Sequence, residues 1–153
     1  MALKLKYGGR PGIAETMARF MARQLDVMVE GTIVAPVPLH RWRIWRRGYN
    51  QSALIATALA RRAGLETRLD LLRRVKRTPP LRGMGPRERR DAVRGAFRVD
   101  PEKKTGVKGR PVLLIDDVYT SGATANACAG ALRRAGAARI EILCWARVVK
   151  AGD

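Results

Sequence analysis

The sequence predicts an α/β fold, a mostly parallel central sheet with helices on both faces, and three observations lead there. Short β-branched or leucine-rich runs alternate along the chain with stretches of helical periodicity. Two of these runs, "TIVAPV" at 32–37 and "VLLID" at 112–116, are apolar almost throughout, as strands covered on both faces are. The length, 153 residues with a 46% hydrophobic share, suits one core and one domain spanning 1–153.

The elements follow in order. Ile13, Met17, Phe20, Met21 and Leu25 recur at helical spacing and predict an amphipathic helix over 13–26. The β-branched run at 32–37 is the first strand. After a basic loop, "QSALIATALARRAG" predicts a helix that closes at Gly64. "LDLLRRV" at 69–75 is the next strand. Residues 77–95 are rich in arginine, proline and glycine, with a helical turn at 86–94 leading into the short strand "AFRV". "PEKKTGVKGR" reads as a surface loop, "VLLID" as a strand and "ATANACAGALRRAG" as a helix ending at Gly136. "RIEILCWARVV" is the last strand.

Composition narrows the classes of function. No apolar run approaches a membrane span, and "MALKLKYGG" is too short and too charged for a signal peptide. The expectation is a cytoplasmic protein without membrane insertion. Cys128 and Cys144 stand apart from any CxxC or Cys/His cluster, which predicts core thiols rather than a metal site or disulfide framework. The net charge of +18 favours polyanionic partners, nucleic acid or phosphorylated metabolites. A coding bias that fills solvated faces with arginine is the competing reading of that charge.

One segment carries chemistry: "PVLLIDDVYTSGAT", residues 111–124. In a parallel sheet, ligands bind beyond the carboxyl ends of the strands. Asp116 and Asp117 are therefore expected just past the buried run, facing a crevice. Thr120, Ser121 and Thr124 offer hydroxyls, while Gly122 and Ala123 let backbone N–H groups approach a ligand at a helix start, a cradle suited to phosphate. Ionised carboxylates only accept hydrogen bonds, so the aspartates suit the hydroxyls of a ribose. A turn at Asp117 and a cap at Thr120 or Thr124 would explain each residue singly, but not the whole string. A magnesium strand of a nucleotide triphosphatase is also excluded, because no GxxxxGK[ST] occurs in the chain.

"VLLIDDVYTSGAT" resembles the phosphoribosyl-pyrophosphate (PRPP) motif of type I phosphoribosyltransferases. With "KYGGRPGIAETMARFMARQL", "VAPVPLHRWRIWRRGYNQSALIATALA", "KRTPPLRGMGPRERRDAVRGAF" and "AGAARIEILCWARVV", nearly the whole chain is similar to the ComF family, linked to DNA uptake in competent bacteria. The resemblance implies a type I phosphoribosyltransferase-like fold. It also implies that Asp116 and Asp117 hold the ribose hydroxyls and that residues 120–124 hold the 5-phosphate. His40 and Arg41 would lie toward the pyrophosphate. Mg2+ would be carried by PRPP itself, with no protein metal cluster, and residues 77–92 would form a hood over the substrate. Two departures stand out. No counterpart of the N-terminal zinc ribbon common in ComF proteins precedes "MALKLKY", as expected of either a short gene or a fragment that begins after that module, and Leu81 and Ala92 replace a glutamine and an asparagine frequent in the hood.

The loop "HRWRIWRRGYN" adds a second theme. Arg41, Arg43, Arg46 and Arg47 are interleaved with Trp42, Trp45 and Tyr49, a pattern able to neutralise phosphates and stack on unpaired bases. Packing of the tryptophans on the sheet edge is the bland alternative. Three functions are thus expected from this sequence: transfer of phosphoribose from PRPP to an acceptor, binding of PRPP or a phosphoribosyl nucleotide without turnover, and single-stranded DNA binding. Binding together with DNA recognition is the favoured combination, with other DNA-uptake proteins as further partners.

Overall fold

The computed structural model describes residues 11–25, 30–39, 48–81 and 83–147. Within them a sheet of four strands runs in the order β2-β1-β5-β6, where β1 is Ile33–Pro36, β2 Glu66–Thr67, β5 Pro111–Tyr119 and β6 Arg139–Arg147. All three pairings are parallel. Ile33 stands opposite both Glu66 and Val112, and the β5–β6 ladder runs from Pro111 opposite Arg139 to Tyr119 opposite Arg147.

Side-chain alternation along β1 and β5 splits the core into two halves, one on each face. Val34, Leu113 and Ile115 pack with helix α1, Pro11–Met21, through Met17, and with α2, Gln51–Ala63, through Ile55 and Leu59. Ile33, Ala35, Val112 and Leu114 face the other way, toward α4, Ala123–Arg134, through Cys128 and Leu132. Helices thus cover both faces, which is why β1 could be apolar at every position and is buried at each of them.

The helices begin and end on local chemistry. Asn50 caps α2 by accepting the Ser52 N–H at 3.1 Å, and its own amide donates to the Val37 carbonyl at 3.1 Å. That bond ties the helix start to the end of β1. Gly64 closes α2 at φ +67, a left-handed conformation open to glycine, and the next residue's N–H returns to the Ala60 carbonyl at 2.9 Å.

The segment 69–75 departs from expectation. Only Leu72–Arg74 forms a strand, β3, and it pairs antiparallel with β4, Phe97–Val99, in a ribbon separate from the central sheet. The reason is its charge: Arg73 and Arg98 are cross-strand partners, and a strand with two consecutive arginines cannot lie between helix layers. The place at the sheet edge goes instead to β2, two residues too short to show a pattern. The helical turn at 86–94 is a full helix, α3, Pro86–Val93. It opens with Glu88 accepting the Gly85 N–H at 2.7 Å and buries Val93. The ribbon and α3 lie on the α4 side, where Phe97 is buried.

Leu114 is fully buried in β5, between β1 and β6. Leu114→Ala should lower unfolding free energy by about 2–5 kcal/mol, read from urea denaturation. A loss under about 1 kcal/mol would contradict its central position.

Candidate functional site

β1 and β5 run side by side as far as Pro36 and Ile115; there β1 ends and its chain parts from β5, which runs on to Tyr119, and a hollow opens between them. The hollow measures about 210 Å³. Val37, Pro38 and Leu39, following β1, form one wall, and Asp116 and Asp117 form the opposite one. Thr120 and the start of α4 complete it, with Gly122, Ala123, Thr124 and Ala125 all lining the space. The first turn of a helix directs unsatisfied N–H groups outward along its axis, here into this crevice.

The turn into α4 depends on Gly122. Its φ is +72, and a Cβ there would stand 2.1 Å from the Tyr119 hydroxyl oxygen. Only glycine allows Tyr119, which leans on the core and lines the crevice, to lie over the turn. Ser121 is exposed and does not line the crevice; its hydroxyl accepts the Ala123 N–H at 3.5 Å. Of the motif residues, Asp116, Asp117, Thr120, Gly122, Ala123 and Thr124 converge on one space, and Ser121 stays outside it.

The aspartates sit deeper than the sequence suggested. They were expected beyond the strand, yet β5 continues through them to Tyr119, because β6 keeps pace with it: Asp116 lies opposite Cys144 and Val118 opposite Ala146. Asp116 accepts the Asp117 N–H at 2.9 Å, and Asp117 accepts the Val118 N–H at 2.9 Å, so both carboxylates are oriented by the strand's own backbone. Burial pushes the Asp116 carboxyl up to about 7, and the negative charge of Asp117 adds to the shift. Cys144 is half-buried rather than a core thiol, whereas Cys128 is fully buried. Burial raises both thiols above the ordinary range, and the charge of Asp116 contributes.

Arg74 is the site residue that sequence reasoning missed. It reaches the crevice from β3, lining it with Asp116 and Asp117. Its guanidinium donates to the Thr78 hydroxyl and lies 5.4 Å from the centroid of the Phe97 ring. The only available signal was an arginine pair inside an otherwise apolar segment. His40 and Arg41, expected near the pyrophosphate, lie outside the described residues, as do Trp42, Arg43, Trp45, Arg46 and Arg47. Tyr49 is half-buried just ahead of the Asn50 cap. Leu81, in the expected hood, packs against the α4-side core.

A mostly parallel sheet whose central strand delivers paired aspartates beside a helix start defines a class, and comparison with known proteins gives it a name. Residues 50–150 match the phosphoribosyl transferase domain, and the chain belongs to that family. Within it the chain groups with the ComF proteins. It is 32% identical over 150 residues to competence protein F of Haemophilus influenzae, covering 94% of this chain and 65% of that protein. It is 30% identical over 152 residues to the DNA utilization protein YhgH of Escherichia coli K12, covering 95% and 65%. The chain thus spans about 65% of the length of these relatives. In fold it is similar to glutamine PRPP amidotransferase from B. subtilis, with a TM-score of 0.61 at 19% identity, over 94% of this chain and 30% of that one.

The raised Asp116 carboxyl sets a pH dependence. Below the ordinary carboxylate range it is neutral whether the chain is folded or not. As pH rises from about 4 to about 7, the unfolded chain ionises it while the folded chain resists, so this group's contribution to stability is lost across that window. Asp116→Asn should therefore gain stability relative to the parent as pH rises, by on the order of a few kcal/mol at pH 8, from urea midpoints. Parallel pH profiles for the two proteins would show that Asp116 is not held neutral.

Proposed function

We propose that the crevice at the carboxyl ends of β1 and β5 binds PRPP, with Mg2+ carried by the ligand, or a phosphoribosyl nucleotide. The observation that carries this reading is the convergence of Asp116 and Asp117 with the first turn of α4 on one space. The helix start supplies N–H donors for the 5-phosphate, and Thr120 and Thr124 add hydroxyls. Asp117 and the ionised form of Asp116 accept from the ribose hydroxyls. Arg74 supplies a cation on the aspartate side, suited to the negative charge of the pyrophosphate. The donor set suits a ligand-borne metal, since two carboxylates at the ribose leave the ion to be held mainly by ligand oxygens. Mg2+ would neutralise the pyrophosphate, while the chain's own residues bind and orient the sugar.

Binding without turnover is favoured by Leu81, which packs into the core from the segment that would supply polar groups to a closing hood. Transfer of phosphoribose to an acceptor, with release of pyrophosphate, is the second reading, supported by the family domain. The DNA-related names of the relatives and the charge of +18 support a role in DNA uptake through single-stranded DNA binding. The Arg41–Tyr49 loop would contribute stacking through Trp42 and Trp45.

Calorimetric titration of PRPP with Mg2+ should show saturable heat, tighter than for ribose 5-phosphate. The Asp116→Asn/Asp117→Asn double variant should lose that heat while retaining its fold by circular dichroism. Unchanged affinity in the double variant would sink the assignment. Pyrophosphate released on mixing with candidate acceptors would turn the reading from binding to transfer. For the loop, Trp42→Ala/Trp45→Ala should weaken binding of a single-stranded oligonucleotide by on the order of tenfold or more by fluorescence anisotropy, given about 1–3 kcal/mol per stacked base. An unchanged affinity would remove the loop from the DNA site.

A further inference from the structure

Away from the crevice, a second concave surface runs between the β3–β4 side and α4. Two adjoining hollows, about 300 Å³ and about 480 Å³, share Gly95, Phe97 and Arg134 and so form one groove. The groove starts at Ala123, which also lines the crevice, and extends along α4 to Ala135.

Its walls are cationic. Arg90 and Arg94 stand on the α3 side, Arg98 on β4, Lys104 beyond the ribbon, and Arg134 on α4. Arg94 is paired with Asp91 at 2.8 Å. The other four form no ion pair among the described residues, while Glu15 pairs with Arg61 and Arg62, Glu66 with Arg68 and Arg110, Asp70 with Lys103, and Asp100 with Arg73. No acidic side chain lines either hollow. The floor is small and apolar. Gly130 belongs to it, and the Arg134 guanidinium lies back along the helix, 3.4 Å from where a Gly130 Cβ would stand. One cation therefore sits over the stretch where the two hollows meet.

Four uncompensated cations along a trough without acids suit a chain of phosphates better than a single anion. Hollows of a few hundred Å³ admit one sugar–phosphate strand, not a duplex. Phe97 is 1% exposed and offers no ring for stacking, so the contact is with the backbone and carries no base preference. We infer that the groove between β4 and α4 carries the backbone of a single-stranded polynucleotide and leads it to the edge of the crevice. The inference rests on the DNA-binding part of the proposed function and names its surface.

The test is anisotropy of fluorescent dT and dA 20-mers titrated with the full chain at several salt concentrations. Arg98→Glu/Arg134→Glu reverses two groove charges. Arg19→Glu/Arg23→Glu makes the same change in net charge at the end of α1 and the 3-10 turn after it, where both guanidinium groups lie over the Phe20 ring. The groove variant should bind at least about tenfold more weakly at 0.1 M salt, with the slope of log K against log salt reduced by about 1.4, two contacts at about 0.7 each. The α1 variant should lose much less, dT and dA should bind alike, and a blunt duplex should compete poorly. Equal losses in the two variants, or an unaffected groove variant, would overturn the groove assignment. Absence of any oligonucleotide binding by the parent would overturn it together with the DNA reading. PRPP heat, measured in parallel and expected unchanged in both variants, reports separately on the crevice.

Discussion

The strand β5 changes character at one peptide bond, between Ile115 and Asp116, and the positions of sheet, helix and crevice all depend on where that change falls. Before it, Val112, Leu113, Leu114 and Ile115 are buried and bind the two core halves through opposite faces of the strand. After it, the backbone ladder with β6 continues while the side chains become carboxylates. The sheet therefore holds the aspartates with the rigidity of a strand rather than the latitude of a loop. Gly122 then turns the chain sharply enough to begin α4 against the same face that Leu114 anchors. Core burial, the rigidity of the aspartates and the placement of the α4 start are consequences of one registered strand.

Much of this was legible because β5 and β1 are extreme cases. A run that is apolar at successive positions has few homes besides a sheet covered on both faces, and a glycine after hydroxyl residues has few roles besides a tight turn. The helix limits near Gly64 and Gly136 were legible for a similar reason: both glycines carry positive φ at a helix end. What escaped was set by tertiary pairing. "LDLLRRV" has strand composition; its consecutive arginines keep it out of the covered sheet, but the partner it takes instead, Phe97–Val99, is distant in sequence and is not encoded by the segment itself. β2 is a strand only because Arg110 and Arg68 gather around Glu66 and the backbone of Val34 receives the Arg68 N–H at 2.9 Å. Arg74 was invisible as a site residue for the same reason: its place in the crevice follows from the ribbon, not from its neighbours in sequence.

The ion pairs organise the charge of the whole molecule. With 31 basic residues against 13 acidic ones, carboxylates are the scarce partner, and where each is used determines which faces stay cationic. Glu15 accepts two arginines of α2, and Glu66 collects Arg68 and Arg110 near the β2 edge. The exposed pairs add little stability individually. Their effect is to quench part of the charge around α2 and β2, whereas Arg90, Arg98, Lys104 and Arg134 beside α3, β4 and α4 form no ion pair among the described residues, so part of the excess gathers on one groove of the fold.

Asp116 shows the opposite use of a carboxylate. Among the described residues it forms no ion pair, and its shift upward comes from burial and from a second aspartate beside it, an arrangement that stability alone would not select. The strand holds it there through its ladder with β6, in register with Cys144. A cation entering the crevice would stabilise the ionised form and relieve the repulsion with Asp117, so binding a metal-bearing ligand should release a proton near neutral pH. The cost of burying the pair in the free protein is then recovered only when the right charge arrives. In the proposed binding mode this linkage favours a ligand that brings its own cation.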